Sequence, residues 1–395
     1  MKIALFISKF YPEFSGVGQR IIELYKELGI KRKISVNVYC GGKEINSTYN
    51  YNYKFFKIKR FKEISNHNNK IYKIIFDIFL FFRIFNILKE KNYDFVHVVG
   101  SNNVTSAAIN SASLFEIPRI IELVTKKSSP YQLLPLIKYF YKPSFIFNSL
   151  IISINKQIIN NFRYQQLKNR IWIRDNPINK NFIFPNKHML KRKKLGFKKN
   201  DIIISQVAQF YESKNQIFLI DVLSYLPKNF KLILAGPLTK KGDNAESDLK
   251  YFKNIKKKIN FYGLKKRVKI IPKFINSAEI LNISNISAMP NYNEGYGNPL
   301  IESLGLGIPV IANHDEKIFR KWIINLYNGN LVKLEAKEWA KKIKFFKMNY
   351  SRNKISKNVH QKINYGDYIK NYIKIFDYFS KINKKEKINI KKIIS

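Results

Sequence analysis

Short unbroken apolar runs alternate with amphipathic stretches along this chain, almost from the first residue. Ile3–Ser8 is an apolar run of the kind expected of a strand covered on both faces. A loop carrying Gly16 and Gly18 follows, then a helical pattern from about Gln19 to Leu28 that ends at Gly29, a residue suited to a C-cap. Ile34–Tyr39, Phe95–Val99, Ile120–Val124 and Phe145–Ile154 supply further strands, with helical stretches between most of them.

A second series begins near Asp201. It reads as strand Ile202–Val207, helix Gln216–Leu226, strand Lys231–Ala235, and a basic helix Ser247–Ile259 with Ser247 at the N-cap position. Strand Val268–Ile271, helix Ala278–Ile283, strand Ile286–Met289, helix Pro299–Leu306 and strand Pro309–Ala312 complete it. Two successive β/α alternations predict two doubly wound α/β domains. The boundary falls between Asn176-Pro177 and Asn200, a stretch holding Pro185 and the basic cluster from Lys191 to Lys194, and is set at 185/186.

Two segments break the pattern. Ile71–Lys89 is apolar almost all round and approaches the length of a membrane span, but Asp77 and Arg83 sit inside it. It fits a buried domain helix, a helix lying in a membrane interface, or a span, in that order. The tail Ser380–Ser395 carries six lysines against Glu386 and fits either a frayed, solvated end or a surface-binding helix.

Composition adds constraints rather than an answer. A chain of 395 residues with 45% hydrophobic positions can bury two cores. The single cysteine, Cys40, rules out an intrachain disulfide. The apolar run after Met1 is too short for a secretory signal, and Lys9 ends it. The formal charge is +45, from 72 basic and 27 acidic residues. Part of it follows from a Lys-, Asn- and Ile-rich composition spread over solvated faces. An anionic membrane surface is the candidate partner that such charge would attract. Nucleic acid is a weaker one, since no recognised binding module is present.

The chemistry concentrates between Met289 and Val310. A strand end passes through Glu294-Gly295-Tyr296-Gly297 and opens a helix, with Asn298 at the N-cap, Pro299 at the first helical position and Glu302 in the first turn. The glycines let backbone approach a ligand, and the helix N-terminus favours phosphate. Carboxylates at Glu294 and Glu302 suit sugar and ribose hydroxyls. On these grounds alone the segment is a capped helix beside a phosphate-sized site.

The whole string resembles the signature of retaining glycosyltransferases of family 4, which have the GT-B fold: two Rossmann-like domains facing across a cleft. A Glu, seven residues and a second Glu bracket a Gly-aromatic-Gly stretch, with Gly307-Ile-Pro309-Val310 after it. The resemblance implies that Glu302 holds the ribose and that Glu294, with Gly295, Tyr296, Gly297 and Asn298, holds the donor sugar. Val207–Gln216 resembles the strand and loop whose Arg and Lys bind the donor diphosphate. Lys214 matches, but Gln209 stands where Arg is usual, removing one charge from the phosphate site. Gly16 resembles a residue of the glycine loop that approaches the phosphates, and His97 one that ends an N-domain strand. Glu122 occupies the place of a second histidine and becomes a candidate acceptor-side residue. Asn176-Pro177 and Phe184-Pro185 stand where the family has its linker.

The resemblance covers roughly residues 1 to 365. It implies an acceptor domain over 1–185, a nucleotide-sugar domain over 186–367, and a C-terminal helix, about 368–395, that packs back on the first. The implied partners are a nucleotide-sugar donor and a glycan or lipid-linked acceptor in cell-surface polysaccharide or glycolipid synthesis. No cofactor or metal is implied, and the five histidines show no ligand spacing. The expected location is cytoplasmic, at the inner face of the cytoplasmic membrane. Two alternatives share the fold: a catalytically impaired nucleotide-sugar-binding protein, with Gln209 as its symptom, and a sugar-nucleotide epimerase.

Overall fold

The computed structural model describes residues 1–13, 15–41, 49–62, 70–124, 149–159, 169–184, 192–241, 244–346, 350–382 and 388–395. By contact the chain forms two compact units, Met1–Asp175 with Gly366–Ser395, and Asn176–Tyr365. The division lies at Asp175/Asn176, ahead of the proline-marked stretch, because Ile178 and Phe182 are buried and the turn Lys180–Phe182 packs on the second unit's helix Asn298–Gly305. Pro185 and Lys191 lie outside the described residues.

The first unit contains β1 (Lys2–Ile7), α1 (Gly16–Lys31), β2 (Ser35–Cys40), β3 (Tyr49–Tyr53), β4 (Phe56–Arg60), α2 (Lys70–Glu90), β5 (Phe95–Val99), α3 (Asn103–Leu114), β6 (Arg119–Leu123), β7 (Ser149–Ser153), α4 (Lys156–Ile159) and β8 (Ile171–Ile173). The second holds β9 (Ile202–Val207), α5 (Gln216–Ser224), β10 (Phe230–Ala235), α6 (Ala245–Phe261), β11 (Val268–Ile271), α7 (Ser277–Ile283), β12 (Ile286–Met289), α8 (Asn298–Gly305), β13 (Val310–Asn313), β14 (Gly329–Val332), α9 (Ala336–Phe345) and α10 (Arg352–Lys362). Helix α11 (Tyr365–Phe379) begins as the second unit ends and returns the chain to the first, followed by α12 (Ile390–Ile394).

Among the described residues the first sheet runs β3-β4-β2-β1-β5-β6-β7-β8, parallel except for the antiparallel β3–β4 edge, and the second runs β11-β10-β9-β12-β13-β14, all parallel. Apolar runs make the strands: β5, β6, β7, β12 and β13 are buried throughout, as parallel strands sandwiched between helices must be. In the second unit Trp339 of α9 fills the core against Phe218 of α5.

Several boundaries depart from the sequence reading. Helix α1 runs through Gly29 to Lys31, capped by the Arg32 N–H on Leu28 O. A helical glycine costs roughly 1 kcal/mol against alanine, less than burial of Ile21, Ile22, Leu24, Tyr25 and Leu28 returns. Ser247 is no N-cap: α6 starts after Asn244, and the Ser247 hydroxyl donates to Asn244 O at 3.0 Å. Residues 145–148 of the expected strand Phe145–Ile154 lie outside the described residues. Helix α2 is neither fully buried nor a span. Leu80, Ile84, Ile87 and Leu88 are buried while Ile71, Ile75, Phe79 and Phe82 are exposed. Among the described residues no helix is long and apolar enough to cross a membrane.

Candidate functional site

In the second sheet the chain builds β9, β10 and β11 outward in one direction, then β12, β13 and β14 in the other, so the topology reverses between β9 and β12. Open α/β sheets bind ligands at such a point, beyond the carboxyl ends of the strands. The loop after β9 carries Gln209 and Lys214, and the loop after β12 carries Glu294. The two loops meet there. Lys214 Nζ lies 2.5 Å from Glu294 Oε2, and the Tyr292 N–H donates to Ser213 O at 3.0 Å.

Burial opposes the charge on both partners, and their attraction outweighs it. Desolvation would raise the Glu294 carboxyl, but Lys214, Asn291 Nδ2 at 2.9 Å and the Gly295 N–H hold it below the usual carboxylate range. Desolvation would lower Lys214, yet Glu294 and Tyr211 hold it above the usual lysine value. Both side chains remain about 15% exposed, at 16% and 15%, so the pair is desolvated but reachable.

The backbone around Glu294 is shaped by two left-handed residues, Asn293 and Gly297, at φ 57° and 82°. A Cβ at Gly297 would meet Phe319 Cε1 at 2.8 Å, so only glycine fits. Gly297, not Asn298, caps α8, with no side-chain hydrogen bond. Asn298 is the first helical residue, and its Oδ1 accepts from Asn176 Nδ2 at 2.9 Å. Glu302 therefore falls in the second turn, where its carboxylate accepts from Ser277 Oγ at 2.9 Å. The Tyr296 ring is 3% exposed, packs near Trp322, and its hydroxyl accepts the Asn176 N–H, so this side chain faces the core rather than a ligand.

The expected cradle of N–H groups is narrower than the sequence implied. The Glu294 N–H already donates to Glu316 Oε2 at 2.8 Å, and the Gly295 N–H to the Glu294 carboxylate. Pro299 has no N–H, and those of Leu300 and Ile301 turn to Gly297 O. Gln209 does not point at Lys214's partner; its Nε2 donates to Thr239 Oγ1 at 2.6 Å, tying the loop after β9 to the loop after β10.

Sequence reasoning missed Asn291, Glu316, Asn313, Thr239 and Ser277. Asn291 bridges Gln206 and Glu294, while Asn313 Nδ2 donates to Asn291 O. Asn291, Thr239 and Glu316 lie in loops after strands, Asn313 ends β13 and Ser277 opens α7, so position near strand ends and helix starts is the only signal the sequence offers.

In the first unit, Gly16 opens α1 behind the Ser15 N-cap, after β1 and thus beside the β1–β5 reversal of that sheet. A Cβ there would have nothing within 4 Å. His97 and Glu122 are 0% and 1% exposed, so neither can touch a substrate in this conformation, contrary to the roles read from their positions. Glu122 instead accepts from Arg20, from Arg174 Nη2 at 2.9 Å, from Tyr372 at 2.5 Å and from His97 Nε2 at 3.1 Å. Burial alone would raise its carboxyl; Arg20 and Arg174 hold it well below the ordinary range. A carboxylate only accepts, so His97 carries its proton on Nε2, and Nδ1 accepts from Tyr25 at 2.9 Å. Among the described residues no cluster of His, Cys, Asp and Glu could hold a metal ion.

Residues 189–362 match the family described as glycosyl transferases group 1. That stretch holds Gln209, Lys214, Glu294, Glu302 and Glu316. The chain is a glycosyltransferase. It is 27% identical over 278 residues to the capsular polysaccharide biosynthesis glycosyltransferase CapH of Staphylococcus aureus, spanning 67% of this chain and 71% of that one. It is 26% identical over 249 residues to the UDP-Gal:alpha-D-GlcNAc-diphosphoundecaprenol alpha-1,3-galactosyltransferase of Escherichia coli, spanning 58% and 60%. A sucrose-phosphate synthase of Thermosynechococcus elongatus superposes with a TM-score of 0.71 at 15% identity, covering 95% of this chain and 99% of that chain. The fold class of this glycosyltransferase is GT-B, built from two Rossmann-like units.

Proposed function

We propose that this glycosyltransferase moves a sugar from a nucleoside-diphosphate sugar to a glycan or lipid-linked acceptor in cell-surface polysaccharide or glycolipid synthesis, with retention at the anomeric carbon as in family 4. The observation that carries the reading is the Lys214–Glu294 pair at the reversal point of the second sheet, inside the matched region. The donor of the E. coli relative is a UDP-sugar, and the S. aureus relative serves capsule synthesis, which supports donor and pathway class alike.

Negative charge builds on the diphosphate as the glycosidic bond breaks, and fixed positive groups stabilise it most in a site poor in water. Lys214 is the cation in place, and Glu294 accepts hydroxyls of the donor sugar while keeping Lys214 charged and aimed. Glu302 accepts the ribose hydroxyls. A part for Gly16 in holding the diphosphate rests on the family resemblance of its glycine loop alone. The acceptor attacks from the face the diphosphate leaves, which assists its deprotonation, and no protein nucleophile is invoked. His97 and Glu122 act as positioning residues for the first unit. The acceptor is held at the inner face of the cytoplasmic membrane.

Gln209 sustains one other reading, a protein that binds nucleotide sugars with impaired transfer. Incubating purified protein with labelled UDP- and GDP-sugars and a membrane-lipid extract separates the two. Labelled glycolipid with the donor's anomeric configuration supports transfer. Tight donor binding with no label moved supports the other reading, and a new sugar nucleotide formed without acceptor would indicate an epimerase.

A further inference from the structure

Helix α2 packs on α3 through one face and leaves the opposite face to solvent. Ile71, Ile75, Ile78, Phe79 and Phe82 are 68%, 59%, 43%, 59% and 57% exposed. Their spacing places them on one stripe of a 3.6-residue helix. A surface helix normally presents polar side chains there, and an exposed apolar stripe of this extent marks a contact surface. The acid within the helix does not interrupt it, because Asp77 accepts from Asn103 Nδ2 of α3 at 2.7 Å.

The border of the stripe is cationic. The Arg83 guanidinium lies 5.6 Å from the Phe79 ring and 5.8 Å from Phe61, and Lys59 Nζ lies 5.7 Å from the same Phe61 ring. Lys91 reaches Tyr39 at 3.5 Å on β2, next to β4 where Lys59 stands. Burial, then the charges of Arg83 and Lys91, lower the Lys59 ammonium, with Glu90 opposing. Apolar side chains flanked by cations match acyl chains beneath anionic headgroups. They match a second copy of the chain poorly, since two surfaces drawn from a +45 protein repel each other.

We infer that the exposed stripe of α2, with Arg83 and Lys59 at its edge, docks this glycosyltransferase on an anionic lipid surface, lying in the interface rather than crossing it. The inference rests on the reading that the acceptor is held at a membrane, and it names the element that brings the chain there.

Flotation with the full chain tests it, using vesicles of phosphatidylglycerol and phosphatidylethanolamine, vesicles of phosphatidylcholine alone, and no acceptor or donor. The wild type should float with the anionic vesicles and markedly less with the neutral ones. Ile75→Asp with Phe79→Asp, both on the exposed face, should lower the bound fraction by about tenfold or more. Arg83→Gln with Lys59→Gln should remove the preference for anionic lipid and leave weaker binding to both. Wild type that stays with the soluble fraction, or an aspartate variant that floats unchanged, overturns the inference. So does an aspartate variant that loses only self-association by light scattering, for the stripe would then belong to a second copy. Nucleotide-sugar binding by thermal shift should be unchanged in both variants. A wild type that binds vesicles but no nucleotide sugar would overturn the donor reading and leave the docking inference standing.

Discussion

Lys214 Nζ stands 2.5 Å from Glu294 Oε2, bridging the loops that leave the two strands at the reversal of the second sheet. The shifts of this pair set its pH range. Glu294 is depressed, so its contribution is present above the ordinary carboxylate value and lost as pH falls through the lower folded one. Lys214 is raised, so its contribution is present below the ordinary lysine value and lost as pH rises through the higher folded one. The stability difference between wild type and Glu294→Gln should therefore stay flat from about pH 5 to pH 10 and shrink only outside that range. Chemical denaturation of both proteins across pH measures it, and a difference that vanishes near pH 6 would mean the pair is not formed.

Gln209 donates to Thr239 rather than to the Lys214–Glu294 pair. If its neutrality is a tolerated loss of charge, Gln209→Arg should tighten nucleotide-sugar binding by roughly the worth of one charged hydrogen bond, about tenfold. Calorimetric titration with the cognate donor reads this directly. Weaker binding would show that the site requires a neutral group and the bond to Thr239.

Gly16 separates a structural glycine from a functional one. A methyl group there has nothing within 4 Å to strike, and alanine at the start of α1 should leave stability unchanged or slightly higher. Gly16→Ala should nonetheless raise the donor KM several-fold if backbone at this point approaches the diphosphate. Unchanged KM with an unchanged melting temperature would remove Gly16 from the donor site.

Glu122 lies between two buried guanidinium groups, Arg20 and Arg174, and pairs with both. Removing its charge while keeping its shape leaves both without that counter-charge, so Glu122→Gln should destabilise the protein by roughly 3–5 kcal/mol. A thermal or urea melt decides the point. Full stability with lost activity would return Glu122 to the acceptor side.

What could be read from the sequence follows physical lines. Parallel strands such as Phe95–Val99 and Ile286–Met289 declare themselves because both faces are buried, leaving an unbroken apolar run. The β3–β4 hairpin did not, since Tyr49–Tyr53 alternates tyrosine with asparagine at a sheet edge and its turn runs through Lys54 at φ 55° without a glycine. The Glu294 segment was legible through resemblance, yet its cap was misplaced by one residue because Gly297 takes a left-handed conformation, in a place where Phe319 leaves no room for a Cβ, that local sequence does not announce. The Glu122 network was illegible for a related reason. Its partners Arg174, Arg20 and Tyr372 lie 52, 102 and 250 residues away, and only the folded sheet with α11 laid on it brings them together.

Glu294 and Lys214 are proposed to hold a nucleotide sugar for transfer. The most direct test is the rate at which label passes from nucleotide sugars into membrane glycolipid, compared between wild type and Glu294→Ala at matched folding. Wild type should transfer from one donor, and the variant should lose about a hundredfold or more of that rate. Full transfer by Glu294→Ala, or none by wild type from any UDP- or GDP-sugar, would contradict it.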